Sequence, residues 1–69
     1  MNQRVQVVRG LLEGISETKV TLKVPEGRTL VEREFRRGEL PVGLDWVFSH
    51  MGKQVQVTLV DGIATGISE

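Results

Sequence analysis

The chain has no cysteine and a single histidine, His50. Disulfides and thiolate metal sites are therefore excluded, and an intrachain zinc site lacks its usual ligands. No metal or other cofactor is expected. Aromatic side chains are scarce: Phe35, Trp46 and Phe48, with no tyrosine. Alanine occurs once, at Ala64, whereas a helical bundle of this length would be rich in Ala, Leu and Glu. Neither sign of charge prevails, nine Lys and Arg standing against nine Asp and Glu. A dedicated nucleic-acid binder carries a basic excess, because phosphate contacts supply most of its non-specific affinity. No apolar run approaches the roughly eighteen residues of a membrane span. Met1–Gly10 lacks the basic, apolar and small-residue succession of a signal peptide. A cytoplasmic protein without membrane contact is the expectation.

Sixty-nine residues allow one domain, spanning residues 1–69. At this size folding hides only about 60% of the extended-chain surface. Small domains usually compensate with disulfides, a metal or a partner chain. With the first two excluded, burial of further surface by self-association is favoured over an unusually dense core, and a homo-oligomer is expected.

What the chain has in abundance is valine, eleven of them. β-branched side chains suit a pleated, half-buried surface and lose rotamer freedom in a helix. Their spacing agrees. Val5 and Val7 alternate with polar neighbours, followed by a turn or bulge at Arg9-Gly10 and a second strand, Leu11 to Ile15, bent near Gly14. After a short turn at Ser16-Glu17, Val20, Leu22 and Val24 alternate with Thr21 and Lys23. Pro25-Glu26-Gly27-Arg28 has turn chemistry. Residues 29–37 read either as the return arm of a hairpin, with Val31, Arg33, Phe35 and Arg37 on one side, or as a helix with Thr29 and Glu32 at capping-box spacing. The tight turn before them favours the hairpin. Pro41 and Gly43 mark a loop, and residues 44–51 read as a short helix ended by Gly52. Its apolar stripe, Leu44, Val47, Phe48 and Met51, is expected to face the core. Val55, Val57 and Leu59 then alternate up to Asp61-Gly62, and Ile63, Thr65 and Ile67 run back. An Asp-Gly pair between two alternating runs is a strong hairpin signal.

These elements predict a mainly all-β fold: a small five- to six-stranded SH3/Sm-like barrel, or a rolled antiparallel sheet, with one short helix near residues 44–51. Gly10–Glu17 and Gly62–Glu69 echo one another, each preceded by Val-Gln-Val. The echo reads as two similar hairpins built from a small vocabulary, or as pseudo-symmetry. Gly52, Val55, Val57, Leu59, Asp61, Gly62 and Gly66 form an outline that resembles the first half of the Sm/Lsm motif, although Gly66 falls one residue early. That resemblance implies a small curved sheet and does not extend to RNA binding.

Candidate site residues are few. Arg33, Arg36 and Arg37, with Arg28 nearby and Phe35 among them, form the strongest local binding signal, since guanidinium forks suit phosphate or carboxylate and an aromatic beside them could stack a base. Glu32, Glu34 and Glu39 interleave with them, so a solvated strand with cross-strand ion pairs is the competing reading. Trp46 lies off the apolar stripe. It is expected either to anchor a partner or to seal the edge of a barrel mouth. His50 is expected to make a local hydrogen bond, to Asp45 or Ser49. No nucleophile, base or acid pair stands at a recognised spacing, and no catalytic residue is proposed. The expected function is an interaction module acting by self-association and protein binding. A nucleic-acid-binding module using the Arg28–Arg37 arm is the alternative, and a small enzyme with its pocket at a subunit interface is the third.

Overall fold

The computed structural model describes residues 3–69. Met1 and Asn2, the start of the segment read for a targeting signal, lie outside the described residues. Five strands and one helix follow in the order β1 (Val5–Ile15), β2 (Lys19–Glu26), β3 (Thr29–Arg37), α1 (Leu44–His50), β4 (Gln54–Val60) and β5 (Ile63–Ser68). The strands close into a barrel in the ring order β1-β2-β3-β5-β4.

The two predicted segments at the start of the chain are one continuous strand, because β1 serves two neighbours. Its first part pairs antiparallel with β4, from Val5↔Val60 to Leu11↔Gln54. Its last part pairs antiparallel with β2, from Leu11↔Lys23 to Ile15↔Val20. The two ladders meet at Leu11, next to Gly10. A Cβ on Gly10 would lie 2.6 Å from the Lys23 carbonyl oxygen, so only glycine lets the two backbones approach this closely. The register shifts between Leu12 and Gly14, the bend expected near Gly14, and Glu13 is the extra residue of a bulge.

The turns follow from local chemistry. Ser16 Oγ accepts hydrogen bonds from the backbone N–H groups of Thr18 and Lys19, at 3.2 and 3.0 Å, which shapes the β1–β2 connection. Gly27, with φ 62°, opens the two-residue Gly27-Arg28 loop between β2 and β3. That hairpin settles residues 29–37 as a strand. Asp61 and Gly62 both take positive φ, 51° and 81°, as the tightest β4–β5 turn requires.

Alternation places Val20, Leu22, Val55, Val57 and Leu59 inside the barrel with Leu12, Ala64 and Ile67, and α1 adds Val47. Among the described residues, no polar or charged residue is buried. Ring closure is slight. β3 meets β5 in parallel only at Arg36↔Ile63 and Arg37↔Ala64, continued by Gly38 N–H donating to the Ala64 carbonyl at 2.8 Å. Among the described residues, β3 from Thr29 to Phe35 pairs only with β2, leaving its other edge open. The echo between Gly10–Glu17 and Gly62–Glu69 has no structural counterpart: Gly10 lies inside a strand, whereas Gly62 lies in a turn. No helix among the described residues is long and apolar enough to cross a membrane.

Gly10→Ala is expected to cost about 2–3 kcal/mol, since the added methyl forces the β1 and β2 backbones apart. Gly14→Ala, whose Cβ meets nothing within 4 Å, should stay within roughly 0.5 kcal/mol of the parent. Urea unfolding midpoints of the two variants check the contrast.

Candidate functional site

Helix α1 lies across the barrel end where β1 finishes and β4 begins. Leu12 N–H donates to the Lys53 carbonyl at 2.9 Å, and Gly52 N–H donates to the Leu12 carbonyl at 2.8 Å. These bonds tie the exit of the helix to the inside of β1 and fix its rotation. The face it turns inward is not the predicted one. Val47 is buried, and Trp46 and His50 are half-buried beside it. Leu44 is 71% exposed, Phe48 70% and Met51 42%. The stripe expected to face the core is therefore an exposed ridge, with only Val47 turned in. The physical reason is space. Valines and leucines of the strands already fill the interior, and Leu40 and Val42 of the β3–α1 connection pack against the same cluster. One small side chain and the edge of an indole are all the helix needs to supply.

Trp46 packs against the core cluster and stacks on His50, with ring centroids 3.9 Å apart and planes 14° from parallel. His50 makes a local hydrogen bond as expected, with Ser49 Oγ 3.2 Å from its Nδ1. Its closer partners are others. Nδ1–H donates to the Trp46 carbonyl at 2.7 Å, and Nε2–H donates to Glu69 Oε1 at 2.5 Å. Both ring nitrogens carry hydrogens only in the imidazolium. The bond to Glu69 and then the bond to the Trp46 carbonyl hold His50 above its ordinary value of 6.5. The same His50–Glu69 bond holds Glu69 below 4.5. Nothing in local spacing announces this pair, whose members stand nineteen residues apart.

The arginine strand does not form one patch. Arg28 sits at the hairpin tip and Arg37 at the far end of β3, roughly 30 Å away at about 3.3 Å per residue. Arg33, Phe35 and Arg37 share a face, as the alternation predicts, and Arg33 lies 6.0 Å from the centroid of the Phe35 ring. Phe35 itself packs against the core. On the opposite face of the hairpin Lys19 pairs with Glu34 at 3.8 Å, and Lys23 pairs with Glu13 of β1 at 3.2 Å. Arg37 is set apart. It is half-buried, and its Nη1 donates to the Ser16 carbonyl at 2.7 Å.

Comparison with protein-family models, with curated proteins and with solved structures finds no match to this chain.

The His50–Glu69 contact predicts a bounded pH window. With the folded His50 value raised, its contribution to stability is complete below the unfolded value near 6.5 and is lost as pH rises through the folded value. With the folded Glu69 value lowered, its contribution is present above 4.5 and is lost as pH falls through the folded value. NMR titration of the only histidine should give a midpoint above 6.5 in the parent. In Glu69→Gln it should move back toward 6.5, and the decline in melting temperature on the alkaline side should flatten.

Proposed function

We propose that this chain is an interaction module that acts by binding a second copy of itself through the exposed ridge of α1. The observation that carries the reading is the outward turn of Leu44, Phe48 and Met51 on a helix whose inward face is already satisfied. Water-exposed side chains of this size, aligned one helical turn apart, gain most when a matching apolar surface covers them. A second copy supplies such a surface by symmetry. Charge supports the same occupant. Asp45 opens α1 and Lys53 follows it, and neither belongs to an ion pair among the described residues. Antiparallel docking of two ridges sets Asp45 of one copy toward Lys53 of the other, twice over, and a chain of zero net charge opposes this with no long-range repulsion.

The nucleic-acid reading draws its support from connectivity. The ring order β1-β2-β3-β5-β4, with the helix between β3 and β4, supports an OB-type version of the small barrel, a class that binds oligonucleotides and oligosaccharides on its second and third strands. That is an analogy of fold alone. A basic groove with outward aromatic rings is what such binding uses. Here the lysines of β2 are paired with glutamates, and Phe35 turns to the core. For the enzyme reading, no group of three or more His, Cys, Asp or Glu comes together among the described residues.

Sedimentation equilibrium tests the proposal. The parent should dimerise, and Phe48→Glu should weaken the dimer at least about a hundredfold, because the lost burial of roughly 1.5 kcal/mol or more counts once per copy. Val7→Glu, on the exposed face of β1, should leave association unchanged. A parent that stays monomeric at high concentration, or a Phe48→Glu dimer as tight as the parent's, would overturn it.

A further inference from the structure

We propose that the cleft between the end of β1, the end of β3 and α1 binds a carboxylate carried on a short branched alkyl chain. The cleft measures about 180 Å³ and is lined by Ile15, Leu40, Val42, Leu44 and Val47, with Arg37 as its one charged residue. Apolar cavities of about 150 Å³ accept a benzene-sized guest, so an alkyl group of roughly four to six carbons fits the space.

Arg37 gives the cleft its polarity. The backbone of Arg37 is anchored by its N–H donating to the Thr18 carbonyl at 2.8 Å, and its guanidinium by Nη1 donating to the Ser16 carbonyl at 2.7 Å. Those bonds hold the side chain across the β1–β2 connection without neutralising it. The ion pairs among the described residues are Lys19–Glu34, Lys23–Glu13 and His50–Glu69, and none of them involves Arg37. A guanidinium carries five donor hydrogens in a planar fork, and the Ser16 carbonyl takes one. The remaining fork is matched by a carboxylate, which accepts two parallel bonds. One cation amid aliphatic walls suits a single negative charge with an apolar tail. It does not suit a phosphate or a sugar, whose polar groups would lose water to Ile15, Val42 and Val47 without replacement. Leu44 is common to this cleft and the ridge, whereas Phe48 and Met51 take no part in the cleft.

Two sources share this chemistry, a free short-chain acid and the C-terminal carboxylate of a peptide ending in an aliphatic residue. The experiment is an NMR titration of the full chain with 4-methylpentanoate, with its uncharged amide, and with acetyl-glycyl-leucine. The acid should shift the resonances of Ile15, Arg37, Val42 and Val47, and the amide should bind about tenfold more weakly or worse, the cost of one charge-assisted contact. Tighter binding of the dipeptide than of the free acid would identify a peptide terminus as the source, and the reverse a small metabolite. Arg37→Gln should abolish the difference between acid and amide. Val42→Glu, which keeps Arg37 but offers it an internal carboxylate, should block the acid in a protein that still melts cooperatively. Acid and amide binding equally, or no shift at those residues with either acid, would overturn the assignment. Repeating the titration on Phe48→Glu separates an empty cleft from a lost dimer.

Discussion

β1 divides its length between two neighbours whose ladders overlap on it only at Leu11, and this offset governs the barrel. β1 leaves β4 and joins β2 within a few residues, and the backbones at the crossing come so near that a methyl group has no place at Gly10. A sheet of five strands this short cannot roll shut on twist alone. The crossing provides the curvature, the Glu13 bulge adds to it, and closure on the far side then needs only two residue pairs between β3 and β5. Because the interior so formed is narrow, aliphatic side chains alone fill it, valines with Leu12, Leu22, Leu59, Ala64 and Ile67.

The same geometry decides where the candidate sites lie. At the end of the barrel, the backbone groups of Leu12 that face away from β2 take their partners from Gly52 and Lys53, just beyond α1. The helix is thereby held by its exit and not by its apolar stripe. It presents Trp46, Val47 and His50 inward and its larger aliphatic and aromatic groups outward. Arg37 owes its position to the closure as well. It pairs with Ala64 through the sheet while its side chain spans to the β1–β2 connection, so the cation stands at the lip of the cleft that α1 covers.

Elements governed by short-range chemistry were readable from the residues. The Asp61-Gly62 hairpin, the Gly27 turn, the alternation of Val20, Leu22 and Val24 and the extent of the short helix all depend on neighbours within a few positions. Features governed by distant backbone were not. Arg9-Gly10 reads as a turn or bulge because a glycine between two apolar runs usually marks one; the actual role of Gly10 depends on Lys23, across the sheet. The face of α1 was misread for the same reason. A stripe of four apolar residues marks the inward face when the space beneath is empty, and here the strands together with Leu40 and Val42 had already occupied it. Trp46 stands apart from the stripe in the sequence, yet its stacking partner is not legible there, since His50 is oriented by Glu69, just beyond β5. The arginines stand close in sequence, yet β3 spreads them along its length, and Arg37 alone of them meets the cleft beneath α1.

The unpaired side of β3 has one more consequence. From Thr29 to Phe35 the strand is held by β2 alone, and beyond Lys23 β2 is in turn released by β1. The hairpin tip is thus a two-stranded ribbon standing off the barrel, with Glu32, Arg33 and Glu34 as charged guards along its open edge. Amide hydrogen exchange should accordingly vary along a single strand: slow at Leu22, inside the three-strand ladder, and fast near Pro25 and Leu30, where the ribbon can peel open while the closed ring stays intact.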